Sequence, residues 1–146
     1  MISQTAEYAL RAVLVLARKP EATFTAREIA SLTGLPAGYL PKILRALVLR
    51  GIASARRGSR GGFRLARPAD SVTILDVVNA TDPIRKFERC PAGIEAHAKN
   101  PCPLHRRFLE ATALAEKALS EATLKDLIEE EARRRTICGI LPGKKP

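Results

Sequence analysis

The sequence predicts a mainly α-helical fold with a small β-wing, on three observations. Two amphipathic helical patterns flank a glycine between Thr25 and Arg50. A glycine-broken, arginine-rich segment follows and alternates as a β-hairpin does. A long helical pattern then begins at Leu104. This order predicts a winged helix-turn-helix followed by a long C-terminal dimerisation helix.

Composition indicates a small helical core under a basic surface. The chain has 146 residues, 46% of them hydrophobic and only 4% aromatic, so Leu, Ile, Val and Ala must fill the core. Lys and Arg number 25 against 15 Asp and Glu, and the net charge of +10 favours polyanionic partners. The basic residues concentrate in one stretch, which favours nucleic acid over an anionic membrane: Arg45, Arg50, Arg56, Arg57, Arg60, Arg64 and Arg67.

The sequence shows no targeting or membrane-spanning signal. No apolar run approaches the roughly 20 residues that a span requires. The N-terminal apolar patch carries Glu7 and Arg11 and has no positive leader, so it is not a secretory signal. We therefore expect a cytoplasmic protein. In that compartment Cys90, Cys102 and Cys138 indicate metal binding, redox chemistry or no chemistry, rather than structural disulfides.

Local signals define the first two helices. The spacing over residues 4–18 predicts a core helix that Pro20 ends. Thr25, with Glu28 three residues later, predicts a capping box at the start of a second helix. Gly34 is placed to supply the turn that follows.

The third helix is predicted from about Pro36 to Arg50. Pro41 lacks a backbone N–H and must lie in the first turns, so we expect a bent or late-starting helix. Its apolar residues form one buried stripe: Leu40, Ile43, Leu44, Leu47 and Val48. The second helix of such a pair lies in the major groove. Including the hairpin, the candidate DNA contacts are Thr25, Tyr39, Lys42, Arg45, Arg56, Arg57, Ser59, Arg60 and Arg64.

The remaining chain divides into a short helix, a loop and further helices. Residues 71–80 predict a helix that starts near Thr73, and residues 81–103 hold four prolines, two cysteines and a histidine in a long loop. Leu104, Phe108, Ala111, Ala115 and Leu119 recur as a stripe suited to a helix partner. The predicted units are a DNA-binding domain over 1–80, a sensor loop over 81–103, a dimerisation region over 104–135 and a tail over 136–146.

Five segments in this order resemble the winged-helix regulators often called the Rrf-two family, typified by IscR, NsrR and RirA. They are TAEYALRAV, GLPAGYLPKILRALVLRGI, RRGSRGGFRLARP, VTILDVV and ATLKDLI. The resemblance implies a cytosolic homodimer that binds double-stranded DNA, in many members as a repressor. Some members hold an iron–sulfur cluster that senses redox state, nitric oxide, iron or iron–sulfur status, and others hold none.

The cluster-binding relatives carry three cysteines in the loop before the long helix, and this sequence departs from that pattern. Cys90 and Cys102 match the first and third cysteines, while Ala96 takes the middle position beside His97. His105 stands where IscR-like members also place a histidine. Glu7 stands where some relatives supply a carboxylate from the other subunit. The resemblance thus implies Cys90, Cys102, His105, Glu7 and His97 as candidate ligands, and the two histidines compete for one role.

The chemistry of these side chains leaves alternatives open. Imidazole replaces two thiolates in Rieske-type sites, so two cysteines, a histidine and a carboxylate could hold a [2Fe-2S] cluster. Zinc in the same ligands or a Cys90–Cys102 disulfide switch are the alternatives. A cysteine-nucleophile enzyme is the competing class of function. No nucleophile elbow, phosphate-binding loop or paired-carboxylate motif supports it.

Overall fold

The structure, a computed structural model, describes residues 2–84, 87, 90, 93 and 100–134. Within these residues the chain forms six α-helices, a short 3-10 turn and one two-stranded antiparallel sheet. The α-helices are α1 (Gln4–Arg18), α2 (Ala26–Thr33), α3 (Leu40–Leu49), α4 (Ile74–Thr81), α5 (Pro103–Ser120) and α6 (Leu124–Arg134). The strands are β1 (Ala53–Arg56) and β2 (Gly62–Leu65), and Ala69–Ser71 form the 3-10 turn. None of the helices described here is both long and apolar enough to cross a membrane.

Helix α1 lies at the centre of the core. Ser3 caps it by accepting a hydrogen bond from the Ala6 N–H, and the helix spans the predicted residues. Its buried residues are mostly small, so neighbouring helices approach closely: Ala6, Ala9, Ala12, Val13, Leu14, Val15, Leu16 and Ala17. Helices α2, α3, α4 and α6 and strand β2 all pack against it.

The helix-turn-helix forms as its local signals predict. The Thr25–Glu28 capping box is present at α2, and Gly34 ends that helix in the left-handed conformation with φ of 68°. Helix α3 begins at Leu40 rather than near Pro36, because residues 36–39 form a turn and Pro41 then falls in the first helical turn. The late start is confirmed. Leu40, Ile43, Leu44 and Leu47 are buried as predicted.

The chain returns to the core after α5. The N-termini of α4 and α6 lie side by side, joined by a bridge between Thr73 and Thr123. The Ile74 N–H donates to the Ala122 carbonyl at 3.0 Å, and the Leu124 N–H donates to the Val72 carbonyl at 2.9 Å. Leu124 is fully buried in the same apolar cluster as α1 and α3. Helix α6 therefore completes the core that supports the helix-turn-helix.

An ion pair between Arg18 and Glu131 joins the last turn of α1 to α6. Both side chains are largely shielded from solvent, with 18% and 20% exposure, so the pair is less screened than a surface pair. The contact fixes the far end of α6 against α1, the central helix of the core.

Candidate nucleic-acid interface and cysteine site

The outer face of α3 presents the three predicted groove contacts to solvent. Tyr39 is 58% exposed, at the N-terminal boundary of the helix. Lys42 and Arg45 are also exposed and follow at intervals of three residues, so all three lie on one face. An exposed basic face opposite a buried apolar stripe is the arrangement that a groove-inserted helix requires.

The wing is fixed to the domain by a third backbone pairing that the sequence did not reveal. Strands β1 and β2 pair in the register Ala53↔Leu65 to Arg56↔Gly62. Phe24, just before α2, bridges to Phe63. The Phe24 N–H donates to the Phe63 carbonyl at 2.8 Å, and the Phe63 N–H donates to the Phe24 carbonyl at 2.7 Å. A Cβ on Gly62 would lie 2.5 Å from the Phe24 carbonyl oxygen, so this close approach requires glycine.

The predicted wing residues lie exposed around the hairpin. Arg56, Arg57, Ser59 and Arg60 lie at its end, and Arg64 lies on β2, where its Nε donates to the Ser54 hydroxyl at 3.4 Å. Among the residues that the structure describes, none of these arginines forms an ion pair. The nearby Arg67 pairs with Asp76 at 3.6 Å.

The charge along this surface is of one sign, since no acidic residue occurs between Glu28 and Asp70. Unneutralised guanidinium groups in such a surface suit the phosphates of a duplex.

Thr25 lies where α2 meets the wing, but its side chain is already engaged. A groove of about 380 Å³ between the two elements is lined by Thr25, Ala26, Arg57 and neighbouring wing residues. The Thr25 hydroxyl donates to the Glu28 carboxylate at 2.8 Å and accepts from the Glu28 N–H at 3.2 Å. Hydrogen bonds from the Thr25 N–H and then from its hydroxyl hold the pKa of Glu28 below its ordinary value. The geometry gives Thr25 a capping role, and its contact with DNA stays a prediction.

Cys90 and Cys102 come together although they are 12 residues apart. Their sulfurs lie 3.8 Å from each other and are not joined. Cys90 is buried, and its carbonyl accepts a hydrogen bond from the Gly93 N–H at 2.8 Å. Cys102 is the N-cap of α5, and its sulfur accepts from the His105 N–H at 3.5 Å. The positive end of the helix dipole favours negative charge at this position.

His105 is buried within the same site, with 2% exposure. It lies in the first turn of α5, directly after the Cys102 cap. The Nε2 atom of His105 bonds to the backbone carbonyl of Phe87, which can only accept, so Nε2 carries the proton. Its Nδ1 is buried without a hydrogen-bond partner in the described structure. A neutral ring in this tautomer presents the Nδ1 lone pair to a ligand.

The other candidate ligands do not join this group within one chain. Glu7 is exposed on α1, and His97 and Cys138 lie outside the described residues. The described part of the chain brings no three His, Cys, Asp or Glu side chains into a metal-binding arrangement.

The two thiols nevertheless fit a shared metal. A tetrahedral metal with metal–sulfur bonds of about 2.3 Å holds two sulfurs about 3.8 Å apart, which is the observed separation. The Phe87 carbonyl bonds to the histidine ring and fixes its tautomer, and the sequence did not predict this role. Because the acceptor is a backbone carbonyl, which every residue carries, no residue type in the sequence marks this contact.

An apolar groove of about 540 Å³ runs beside α5, near the start of α1. Phe87 and Phe108 pack in its wall with ring centroids 4.6 Å apart. On α5 itself the stripe residues Leu104, Phe108 and Ala111 are exposed, and Ala115 and Leu119 are half-buried. The predicted face for a helix partner is thus present, and the described part of the chain covers it only in part.

Together, the buried α-helical core, the exposed α3 face and the arginine wing define a winged-helix DNA-binding protein. Residues 2–130 match the Rrf2 family, described as iron-dependent transcriptional regulators. An HTH-type transcriptional regulator of Aquifex aeolicus (strain VF5) is 32% identical over 136 residues, covering 91% of this chain and 94% of its own. The chain belongs to the Rrf2 family of transcriptional regulators, which are DNA-binding proteins and not enzymes.

Solved structures confirm the fold. IscR of T. potens superposes with a TM-score of 0.76 at 21% identity, over 94% of this chain and 92% of its own. CymR of B. subtilis, the global cysteine regulator, superposes with a TM-score of 0.73 at 24% identity, over 89% of this chain and 97% of its own. CymR of Staphylococcus aureus, solved in an oxidised form, superposes with a TM-score of 0.70 at 23% identity, over 88% of this chain and 96% of its own.

Proposed function

We propose that this protein is a homodimeric transcriptional repressor whose operator binding is controlled by an iron–sulfur cluster, [2Fe-2S]. Cys90 and Cys102 hold the cluster, which senses redox state, nitric oxide or iron–sulfur status. The observation that carries this proposal is the 3.8 Å separation of the two sulfurs at the start of α5. The cluster site and the dimerising helix therefore share one residue, Cys102.

One subunit would supply three ligands shared between the two irons of the cluster, since the described residues do not gather three such side chains around a single metal ion. Cys90 and Cys102 supply thiolates at the spacing that one iron requires. His105 supplies the buried Nδ1, held in the required tautomer by the Phe87 carbonyl. Glu7 of the second subunit would complete the set, since it is exposed on α1 and belongs to no metal-binding group among the described residues of its own chain. When bound, such a cluster supplies a reversible one-electron change, with a potential raised by its nitrogen ligand.

DNA recognition would use α3 and the wing of each subunit. Tyr39, Lys42 and Arg45 project from one face of α3, and Arg56, Arg57, Arg60 and Arg64 flank it without acidic partners in the described structure. Two copies joined through the exposed face of α5 would place two such surfaces on successive half-sites of a palindromic operator. A change at Cys102 alters the first turn of α5 and thereby the spacing of the two α3 helices.

A first experiment tests the cluster. We expect protein purified without oxygen to absorb between roughly 300 and 500 nm, to bleach on reduction, and to contain iron and sulfide in equal amounts. The Cys90→Ser and Cys102→Ser variants should each lose most of the absorbance, while the matched Cys138→Ser variant should keep it. Colourless wild-type protein after reconstitution would overturn cluster control.

A second experiment tests the DNA interface. The Arg57→Ala and Arg60→Ala variants should each bind duplex DNA more weakly whatever its sequence, with the slope of log affinity against log salt reduced by about 1. Lys125→Ala, which removes the same charge from the exposed side of α6, is the matched control and should leave the slope unchanged. Equal slopes for all the proteins would contradict a DNA-binding wing.

A thiol switch is the second candidate, and the same 3.8 Å contact favours it. A peroxide would oxidise one thiolate to a sulfenic acid with release of hydroxide, and the second thiol would then displace water to form the disulfide. Both electrons pass to the peroxide. The oxidised form in which S. aureus CymR was solved supports this class of control. Metal-free protein whose DNA affinity changes with a Cys90–Cys102 disulfide, detected by mass spectrometry after thiol labelling, would favour this candidate over a cluster.

A further inference from the structure

A contact between two tyrosines connects the core to the start of α3. Tyr8 lies on α1, half-buried and packed against the core cluster. Tyr39 lies at the N-terminal boundary of α3 and is 58% exposed. Their ring centroids are 6.1 Å apart and the planes meet at 79°, an edge-to-face arrangement within the favourable range.

The start of α3 lacks the polar cap that holds the other helices. Ser3, Thr25, Thr73 and Cys102 cap α1, α2, α4 and α5, whereas Tyr39 makes no side-chain cap hydrogen bond. Pro41, in the first turn, removes a further backbone donor. The structure describes a 3.1 Å bond from the Tyr39 N–H to the Pro36 carbonyl and a 3.3 Å bond from the Ile43 N–H to the Tyr39 carbonyl. These bonds fix the backbone of the turn and leave the direction of the Tyr39 ring to its neighbours.

The segment before α3 is otherwise open. Pro36, Ala37 and Gly38 are exposed, and a Cβ built on Gly38 would meet no atom within 4 Å. Leu35 and Leu40 anchor the two ends of the segment, with 5% and 0% exposure. The half-buried Tyr8 ring, packed against the core, therefore lies beside an otherwise exposed aromatic side chain.

We propose that Tyr8 is a positioning residue for DNA recognition, which holds the Tyr39 ring in the pose that approaches base edges. This inference rests on the proposed use of α3 as the DNA-reading helix. Tyr8 would affect the choice of sequence rather than general affinity, because the arginine wing supplies the phosphate contacts. A partly buried residue of α1 would thus determine sequence preference through Tyr39.

The test uses the whole protein, purified without oxygen in one metal state, and duplexes that wild-type protein selects from a random-sequence library. Affinity is measured for a selected duplex and for a scrambled one at the same salt concentration. We expect Tyr8→Ala to bind the selected duplex roughly fivefold more weakly, equivalent to about 1 kcal/mol. Binding to the scrambled duplex should be unchanged. Tyr8→Phe keeps the ring and should remain within about twofold of wild type.

A double-mutant cycle separates positioning from direct contact. In a Tyr39→Ala background, Tyr8→Ala should cause no further loss, because the ring that it positions is gone. Additive losses, equal losses on both duplexes, or a Tyr8→Phe loss as large as that of Tyr8→Ala would each overturn the proposal. If Tyr8→Ala does not fold by circular dichroism, Tyr8→Leu replaces it in the same comparison.

The two proposals fail in different ways. If wild-type protein enriches no sequence, the proposed DNA-reading function fails, and this inference fails with it. If wild-type protein enriches a sequence but the losses in the cycle add, the inference alone is wrong.

Discussion

Thr25 stabilises the first turn of α2 through hydrogen bonds with Glu28. Replacing it with alanine removes the hydroxyl that accepts from the Glu28 N–H, so we expect the free energy of unfolding to fall by about 1 kcal/mol. Thr25→Ser keeps the hydroxyl and should restore most of the loss. Urea unfolding followed by circular dichroism measures both variants. An alanine variant as stable as wild type would show that the cap contributes nothing.

The same cap should make the stability of the fold depend on pH. The folded pKa of Glu28 lies below its unfolded value because Thr25 bonds to the carboxylate. This carboxylate therefore contributes stability above the ordinary glutamate pKa of about 4.3, and the contribution is lost as the pH falls through the lower folded pKa. In Thr25→Ala the Glu28 pKa should rise towards its ordinary value in a carboxyl NMR titration.

Asp126 is the internal control for that titration. Its pKa is held low by the Thr123 hydroxyl and then by the Thr123 N–H, at the start of α6. The pKa of Asp126 should be unchanged in Thr25→Ala. A pKa shift at both carboxyls would indicate a change throughout the fold rather than the loss of one cap.

Residue-scale prediction from the sequence works where the partners are local. Thr25 and Glu28, three residues apart, form their capping box from sequence-adjacent atoms, and the prediction is confirmed. The bond between His105 and the Phe87 carbonyl joins residues 18 apart, so it depends on tertiary structure and not on neighbouring residues. No periodicity encodes that contact, so the histidine tautomer could not be predicted, whereas the sequence does predict Cys90 and Cys102 as partners in a metal site or a disulfide.

Helix α6 falls within the region over 104–135 that the sequence predicts for dimerisation. Its amphipathic pattern predicts one buried face but not the surface that covers it. The structure places Leu124 in the core beneath the helix-turn-helix, at 0% exposure. The start of α3, by contrast, could be predicted from the sequence. Pro41 predicts a late start, and the structure confirms it at Leu40.

We predict that Leu124→Ala destabilises the whole DNA-binding core by about 2–5 kcal/mol, since it opens a cavity among packed side chains. Leu114→Ala makes the same chemical change at a side chain that is 68% exposed on α5, and its cost should stay within about 0.5 kcal/mol. Chemical denaturation compares the two. Equal costs would mean that α6 does not belong to the core.

At the scale of the whole molecule, the exposed face of α5 should hold two copies together. Ala111 lies exposed on that face, and an arginine there would prevent close approach of a second helix. We expect Ala111→Arg to be monomeric at concentrations at which wild-type protein is dimeric, measured by analytical ultracentrifugation. The monomer should also bind a palindromic duplex much more weakly, because it contacts one half-site.

Ala113→Arg is the matched control for this prediction. Ala113 is exposed on the opposite side of the same helix, so an arginine there meets solvent. It should leave the dimer intact. If both variants dimerise as wild type does, the interface lies elsewhere.

The return of α6 to the core also sets an order of events during synthesis. A nascent chain presents α3 and the wing well before Leu124 leaves the ribosome, yet the apolar cluster of α1 and α3 needs Leu124 to close. The segment that carries Cys90 and Cys102 is made in between. Both thiols thus emerge before the DNA-binding domain can complete its core.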